Sequence, residues 1–233
     1  MGGAPKGSER HARQLEATKE EIKLAAWAQV SKLGAPSLSL RAVAASIGLS
    51  APALYRYFPG KDHLVTALII DAYESLAKAQ DAVLDALEGR PWEERLRGLG
   101  QAYRGWATGR PAAFFLIFGD PIPGYVQPRD ETMAAAGSSL SALIRVLTEA
   151  REAGGLALPL IPPPSPGLLA SLEAWSAAVH HADTEILYLA ATIASRVQGL
   201  TLVELGRQLA PFIEDGGELY ARELERIILE LKP

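Results

Sequence analysis

Between Ser39 and Lys61 the chain collects side chains suited to gripping a polyanion. Arg56 carries a planar guanidinium, the commonest reader of guanine through two parallel hydrogen bonds, and Tyr57 beside it can also point outward. The hydroxyls of Ser39, Ser50, Tyr55 and Tyr57 and the ammonium of Lys61 are groups that hold phosphate oxygens whatever the base sequence. A second candidate for chemistry is the His180-His181 pair. Adjacent helical residues project about 100° apart, so the two imidazoles cannot face one ion without a break. His181 meets Glu185 at i,i+4 only if one helix runs through Asp183, which reads as a cap. No Glu-x-x-His or His-Glu-x-x-His pair occurs, so no metal site is expected.

Other chemistries are excluded by what the sequence lacks. The 233 residues contain no cysteine, which removes disulfides, iron–sulfur clusters, thiolate zinc sites and cysteine nucleophiles. No glycine-rich phosphate loop, G-x-S-x-G elbow or paired-carboxylate motif stands out. No cofactor is expected, and a helical-bundle enzyme is the minor alternative to a binding protein. Apolar runs such as 112–118 and 186–193 fall far short of the ~18–20 residues of a membrane span. The polar N-terminus has no apolar signal core, so a soluble cytoplasmic protein without membrane contact is the expectation.

Charge is unevenly distributed. The chain as a whole has 23 Lys+Arg against 27 Asp+Glu, yet residues 1–61 hold nine basic side chains and only four acidic ones. A basic N-terminal quarter on an acidic remainder suggests a polyanion-binding head; a solvated basic first helix gives the same count.

The elements that position these groups read as helices throughout. Leu15, Ile22, Ala25, Ala26, Val30 and Leu33 mark one face of a helix over 9–33, closed by Gly34 and Pro36. Ser39 can cap a short helix over 40–47, and Gly48 stops it. Ser50 can cap the next, 51–58, in which Pro52 is tolerated because it lies in the first turn. Pro59-Gly60 ends that piece. Further helices are predicted over 61–87, 92–108, 111–118, 129–153, 168–180, 184–209 and 217–231, with the proline-rich run 159–167 as a connecting loop. No persuasive strand or internal repeat is found. The fold class is all-α: a three-helix N-terminal domain, residues 1–60, followed by a larger helical bundle, residues 61–233.

A long helix supporting two short ones across the turn Gly48–Ala51 is the layout of a helix-turn-helix, whose second short helix enters a DNA major groove. Leu54 and Phe58 would anchor that second helix from beneath. The stretch from Ser39, S-L-R-A-V-A-A-S-I-G-L-S-A-P-A-L-Y-R-Y-F-P-G-K-D-H-L, resembles the N-terminal domain of the TetR (tetracycline repressor) family. Its most specific run is Leu54–Leu64. The resemblance implies a homodimeric transcription regulator, usually a repressor, that releases a palindromic operator in double-stranded DNA when a small, largely apolar effector binds its C-terminal domain. It also implies that Ser39 and Arg41 contact the DNA backbone, that Ser50, Ala51 and Ala53 hold the leading recognition positions, and that Tyr55, Arg56, Tyr57 and Lys61 hold the remaining contacts. Leu38 stands where the family often has a threonine, which removes one phosphate-gripping hydroxyl. Ala51, Pro52 and Ala53 offer no side-chain hydrogen bonds, so base reading would rest on Arg56, methyl contacts to thymine and DNA shape.

The larger domain is rich in aromatic residues. Tyr73, Tyr103, Trp106, Phe114, Phe118, Tyr125, Trp175 and Tyr188 either line an effector cavity between helices or fill the core. The segments 109–125 and 196–205 resemble a TetR subset with a variant C-terminal domain. Gln198 stands there where that subset commonly has a histidine, and it joins the pocket candidates on that ground. The last two helices are the expected dimer interface through Ala190, Ala194, Val197, Leu200, Leu219, Leu224 and Ile227, unless these serve an internal core. A ligand-insensitive DNA-binding protein with the same head is the other alternative.

Overall fold

A computed structural model describes residues 6–158, 162–179, 182–208 and 212–233, apart from the side chains of 6–9 and 129. The described residues form ten α-helices and no strand: α1 (Lys6–Leu33), α2 (Leu40–Ser46), α3 (Ala51–Tyr55), α4 (Lys61–Ala86), α5 (Trp92–Gly109), α6 (Pro111–Phe118), α7 (Arg129–Glu152), α8 (Pro166–Ala178), α9 (Thr184–Leu205) and α10 (Gly216–Glu230). The all-α reading holds. The His180-His181 pair and residues 159–161 of the proline-rich run lie outside the described residues.

The chain forms two compact units. The first comprises Met1–Ala72 with Pro111–Thr132, the second Tyr73–Arg110 with Met133–Pro233. This division by compactness does not coincide with the boundary at residue 60 drawn from charge and motif. It assigns the first three turns of α4, together with α6 and the loop after it, to the unit that holds α1–α3.

In the first unit, Ile22, Ala26 and Val30 of α1 are buried with Val43 and Ala44 of α2, Leu54 of α3 and Leu64 and Leu68 of α4. Each of the Leu, Ile and Val side chains among them contributes roughly 1.5–3 kcal/mol by leaving water. Lys23 of α1 reaches Asp71 of α4 at 2.7 Å and Glu20 at 2.7 Å. Burial alone would lower the Lys23 ammonium, but the hydrogen bonds to Asp71 and Glu20 outweigh it and hold it above its ordinary value. α6 packs on α1, and the Tyr125 hydroxyl after α6 lies 2.9 Å from Thr66 Oγ1 of α4.

In the second unit, α10 packs on α5 and α9, and α8 packs on α9. Gly100 of α5 allows a close approach to α10: a Cβ there would fall 2.6 Å from Leu224. The Tyr220 hydroxyl donates to the Gly100 carbonyl oxygen at 2.7 Å, closing the same contact.

One sequence expectation needs amendment. Among the described residues α9 is, by length and composition, apolar enough to cross a membrane, although only the shorter run 186–193 stands out on inspection. Its charges are few and widely spaced, so the whole helix qualifies. All three of them are paired within the chain: Glu185 with Arg151 at 2.8 Å, Arg196 with Glu223 at 2.6 Å and Glu230 at 2.7 Å, and Glu204 with Arg104 at 2.5 Å. That arrangement fits a helix bound to neighbouring helices.

Candidate nucleic-acid interface

The two short helices are shaped by capping at both starts. Ser39 Oγ accepts from the Ala42 N–H at 3.4 Å, and Ser50 Oγ accepts from the Ala53 N–H at 3.3 Å. Each serine satisfies an orphan amide as an acceptor, and its own hydroxyl proton stays available for a phosphate oxygen. Between them, Gly48 takes a left-handed φ of 69°, which costs glycine little, and the Leu49 N–H bonds the Ala44 carbonyl at 2.9 Å.

α3 is shorter than the 51–58 predicted. It ends at Tyr55 with Arg56 as the C-cap, and Tyr57 and Phe58 both donate to the Leu54 carbonyl in a closing turn. Pro59 accounts for the early stop, because it has no N–H to donate to the Tyr55 carbonyl and so cannot continue the helix. The anchors stand where the spacing put them: Leu54 is fully buried and Phe58 is 7% exposed. With these two fixed beneath, Arg56 and Tyr55 are exposed and Tyr57 is half-buried. Arg41 and Ser50 are exposed as well, while Ser39, Ala51, Ala53 and Lys61 are half-buried.

Two contacts that sequence reasoning missed hold the segment before α2. The Ser39 N–H donates to Gln29 Oε1 of α1 at 2.9 Å. Lys61 Nζ, at the start of α4, donates to the Pro36 carbonyl oxygen at 2.7 Å. Pro36 lies in a 3-10 turn, Ala35–Ser37, that the sequence pattern left unassigned. An ammonium has three N–H donors, so Lys61 can keep this bond and still offer two donors to DNA. Facing α1 and α2 is an open, largely apolar groove of about 580 Å³, bordered by Leu24, Ala28, Lys32 and Ile47.

The effector candidates divide between the two units. Phe114, Phe118 and Tyr125 belong to the first, where the Phe114 ring meets Phe118 at 5.3 Å and Phe115 edge-on at 5.7 Å. Tyr73, Tyr103, Trp106, Trp175, Tyr188 and Gln198 belong to the second. Trp106 is buried and its Nε1–H donates to Ser75 Oγ at 2.8 Å. Tyr103 is buried too, and burial pushes its phenol far above the ordinary value. Trp175, Tyr188 and Gln198 are only half-buried. Gln80 of α4, absent from the sequence-based set, is 6% exposed and its Oε1 accepts no hydrogen bond among the described residues. A buried amide oxygen in that condition is costly and invites a donor.

Of the dimer candidates, Ala190, Val197, Leu224 and Ile227 are buried within the subunit, whereas Ala194, Leu200 and Leu219 are partly accessible. No group of three or more metal-ligating side chains occurs among the described residues.

Comparison with known proteins agrees with this geometry. Residues 22–68 match the family described as bacterial regulatory proteins, tetR family, and residues 96–227 match the tetracyclin repressor-like C-terminal domain. The chain is similar to the HTH-type transcriptional regulators Rv1816 of Mycobacterium tuberculosis (strain H37Rv) and Mb1846 of Mycobacterium bovis. It is 35% identical to each over 153 residues, 65% of this chain. The match spans 64% of the length of these relatives. Among solved structures, the crystal structure of SCO4313 shares 32% identity and a TM-score of 0.75, over 97% of this chain and 99% of that one. The ketosteroid transcriptional regulator KstR2 of Mycobacterium tuberculosis, at 17% identity and a TM-score of 0.57 over 93% of this chain and 95% of its own, shares the fold.

Proposed function

The chain belongs to the TetR family of bacterial regulatory proteins, and on that premise we propose that it is a homodimeric repressor that leaves a palindromic operator when a small, largely apolar effector binds its larger domain. It acts in the cytoplasm, where its DNA is. The observation that carries the reading is the presentation of α3: Leu54 and Phe58 pin it from below, which leaves Arg56 and Tyr55 outward beside the serine caps.

In this reading residues 1–60 form the DNA-binding domain and 61–233 the effector and dimerisation domain. Arg56 reads base edges from the turn that closes α3. Ser39, Arg41, Ser50, Tyr55, Tyr57 and Lys61 hold phosphates, and the Ala51 and Ala53 methyls meet thymine methyls. Two copies place their α3 helices in successive major grooves, roughly 34–36 Å apart. Phosphate contacts supply much of the affinity, so binding falls steeply with salt.

Release follows from linkage. An effector that prefers the non-binding spacing of the two heads weakens operator affinity by its differential affinity, typically about 1–3 kcal/mol. Buried Tyr103 and Trp106 support an apolar effector, and the unpaired Gln80 oxygen of the same unit supports one that carries a hydroxyl or amine donor. α4 has residues in both compact units and is the lever. Selection of binders from a pool of randomised DNA duplexes tests the reading: an enriched inverted repeat supports it, and no enrichment at low salt refutes it.

A further inference from the structure

From Glu16 onward, α1 pairs all its charges but two. Lys19 meets Glu16 at 3.0 Å, and Lys23 meets Glu20 and Asp71 at 2.7 Å each. Glu21 and Lys32 are exposed and meet no opposite charge among the described residues. The residues three and four places from each are uncharged, so neither can pair along the helix. Their spacing of eleven residues is close to three whole turns, which puts both on one side of α1, about 16 Å apart.

Between these two charges runs the groove that α1 forms with α2. Its walls are apolar: Leu24, Ala25 and Ala28 from α1, and Ala42, Val43 and Ile47 from α2. Leu24 is 69% exposed and Leu33, at the basic end, is 55% exposed. α1 thus buries one side in the core of the head through Ile22, Ala26 and Val30 and carries a second apolar strip outside.

We propose that this groove is where the head of a second copy of this chain docks, α1 against α1 and antiparallel. A two-fold axis crossing α1 between Ala25 and Ala28 sets Glu21 of each copy against Lys32 of the other. The small alanines at the axis let the helices approach, and each Leu24 enters the groove of the other copy. The sign pattern selects the occupant. A surface acidic at one end and basic at the other is its own complement once turned by half a revolution, whereas a segment of single charge meets one like charge. Duplex DNA fits poorly, because Glu21 repels phosphate.

The inference goes beyond the operator reading and rests on it for its role. Helices in contact lie 8–10 Å apart, while that reading holds the two α3 helices of one homodimer roughly 34–36 Å apart. The docking copy therefore comes from a neighbouring homodimer. The contact is small, roughly 400 Å² a side against the ~800 Å² of a stable interface. It forms where DNA supplies proximity, at an effective concentration on the order of mM, and so couples the filling of adjacent sites.

One test needs no DNA. The chain has no cysteine, so Glu21→Cys and Lys32→Cys are oxidised separately and as an equimolar mixture, at high concentration of the full-length protein. A disulfide needs Cα atoms within about 7 Å. The mixture should give several-fold more covalent pairs on denaturing gels than either variant by itself. Only the mixture sets one cysteine opposite another, and it keeps the second Glu21–Lys32 pair intact. Equal cross-linking in the three samples, or none, overturns the antiparallel register.

Mobility shifts then use duplexes with one or two copies of the inverted repeat retained from the randomised pool, at spacings stepped through one helical turn, ~10 bp. At the best spacing the parent should fill the second site on the order of 10-fold more readily than the first. Leu24→Glu should abolish that factor while single-site affinity stays within about twofold, since Leu24 is already exposed. Glu21→Lys should abolish it too, and the exchange Glu21→Lys/Lys32→Glu should restore it, because a second copy carries the exchanged charges as well. No preference at any spacing, an exchange variant that stays non-cooperative, or single-site binding lost in Leu24→Glu overturns the proposal and leaves the operator reading standing. If the pool yields no repeat, the operator reading fails and the cross-linking alone decides the docking surface.

Discussion

The Lys61 ammonium donates a 2.7 Å hydrogen bond to the carbonyl oxygen of Pro36, joining the first residue of α4 to the turn that leads into α2. One side chain thus fixes the approach to α2 and carries a charge beside the surface offered to DNA. Lys61→Gln should lower affinity for all duplexes alike and reduce the slope of log affinity against log salt by about one. Fluorescence anisotropy over a salt series measures both, and an unchanged slope would remove Lys61 from the phosphate contacts.

Gln29 acts at one remove, through the Ser39 amide. Gln29→Ala should weaken operator binding by about 0.5–1.5 kcal/mol, the usual net value of one such bond. Base preference should stay as it is. Gln29→Glu, which retains the acceptor, should recover most of the loss; a failure to recover would mean that the side chain serves another purpose.

Arg56 is the side chain proposed to read bases. Arg56→Ala should flatten preference at one position of each half-site by about 1–3 kcal/mol while leaving non-specific binding nearly intact. If selected sequences from the variant match those of the parent, Arg56 holds a phosphate instead.

How far the sequence foretold these roles follows from the range of the interactions. Leu54 and Phe58 were readable as anchors because four-residue spacing and the Pro59-Gly60 stop are local signals. The end of α3 at Tyr55 depends on a competition between helix propagation and the following proline, and pattern alone set it three residues late. Gln29 and the Pro36 carbonyl were not readable, since their partners come from other helices. The apolar stripe of α10 was equally plain in the sequence, but periodicity does not say whether a stripe faces the chain's own core or a second copy. Close approach at Gly100 and the Tyr220 hydrogen bond turn it inward.

Gln80 offers a test of the effector region that is separate from DNA binding. Replacing a buried, unpaired amide by an apolar side chain of similar size removes an uncompensated desolvation cost of roughly 1–3 kcal/mol. Gln80→Leu should therefore raise the thermal midpoint and leave operator affinity unchanged. A lowered midpoint in calorimetry would show that the amide is satisfied in solution.

Acid should loosen the contact between α9 and α10. The Arg226 hydrogen bond holds the Glu223 carboxyl below its ordinary value near 4.5, with burial opposing and Arg196 adding to the effect. A carboxyl depressed in the folded state contributes stability above its unfolded value and loses it as pH falls through the folded one. Thermal midpoints should fall below about pH 4.5, modestly because the network is partly exposed, and Glu223→Gln should flatten that fall.

Sequencing the duplexes that the purified full-length protein retains from a randomised pool tests the role of α3. The predicted result is one inverted repeat whose half-sites lie about one helical turn, ~10 bp, apart, recovered less sharply by Arg56→Ala. A pool that returns no repeated motif, even at low salt, would contradict it.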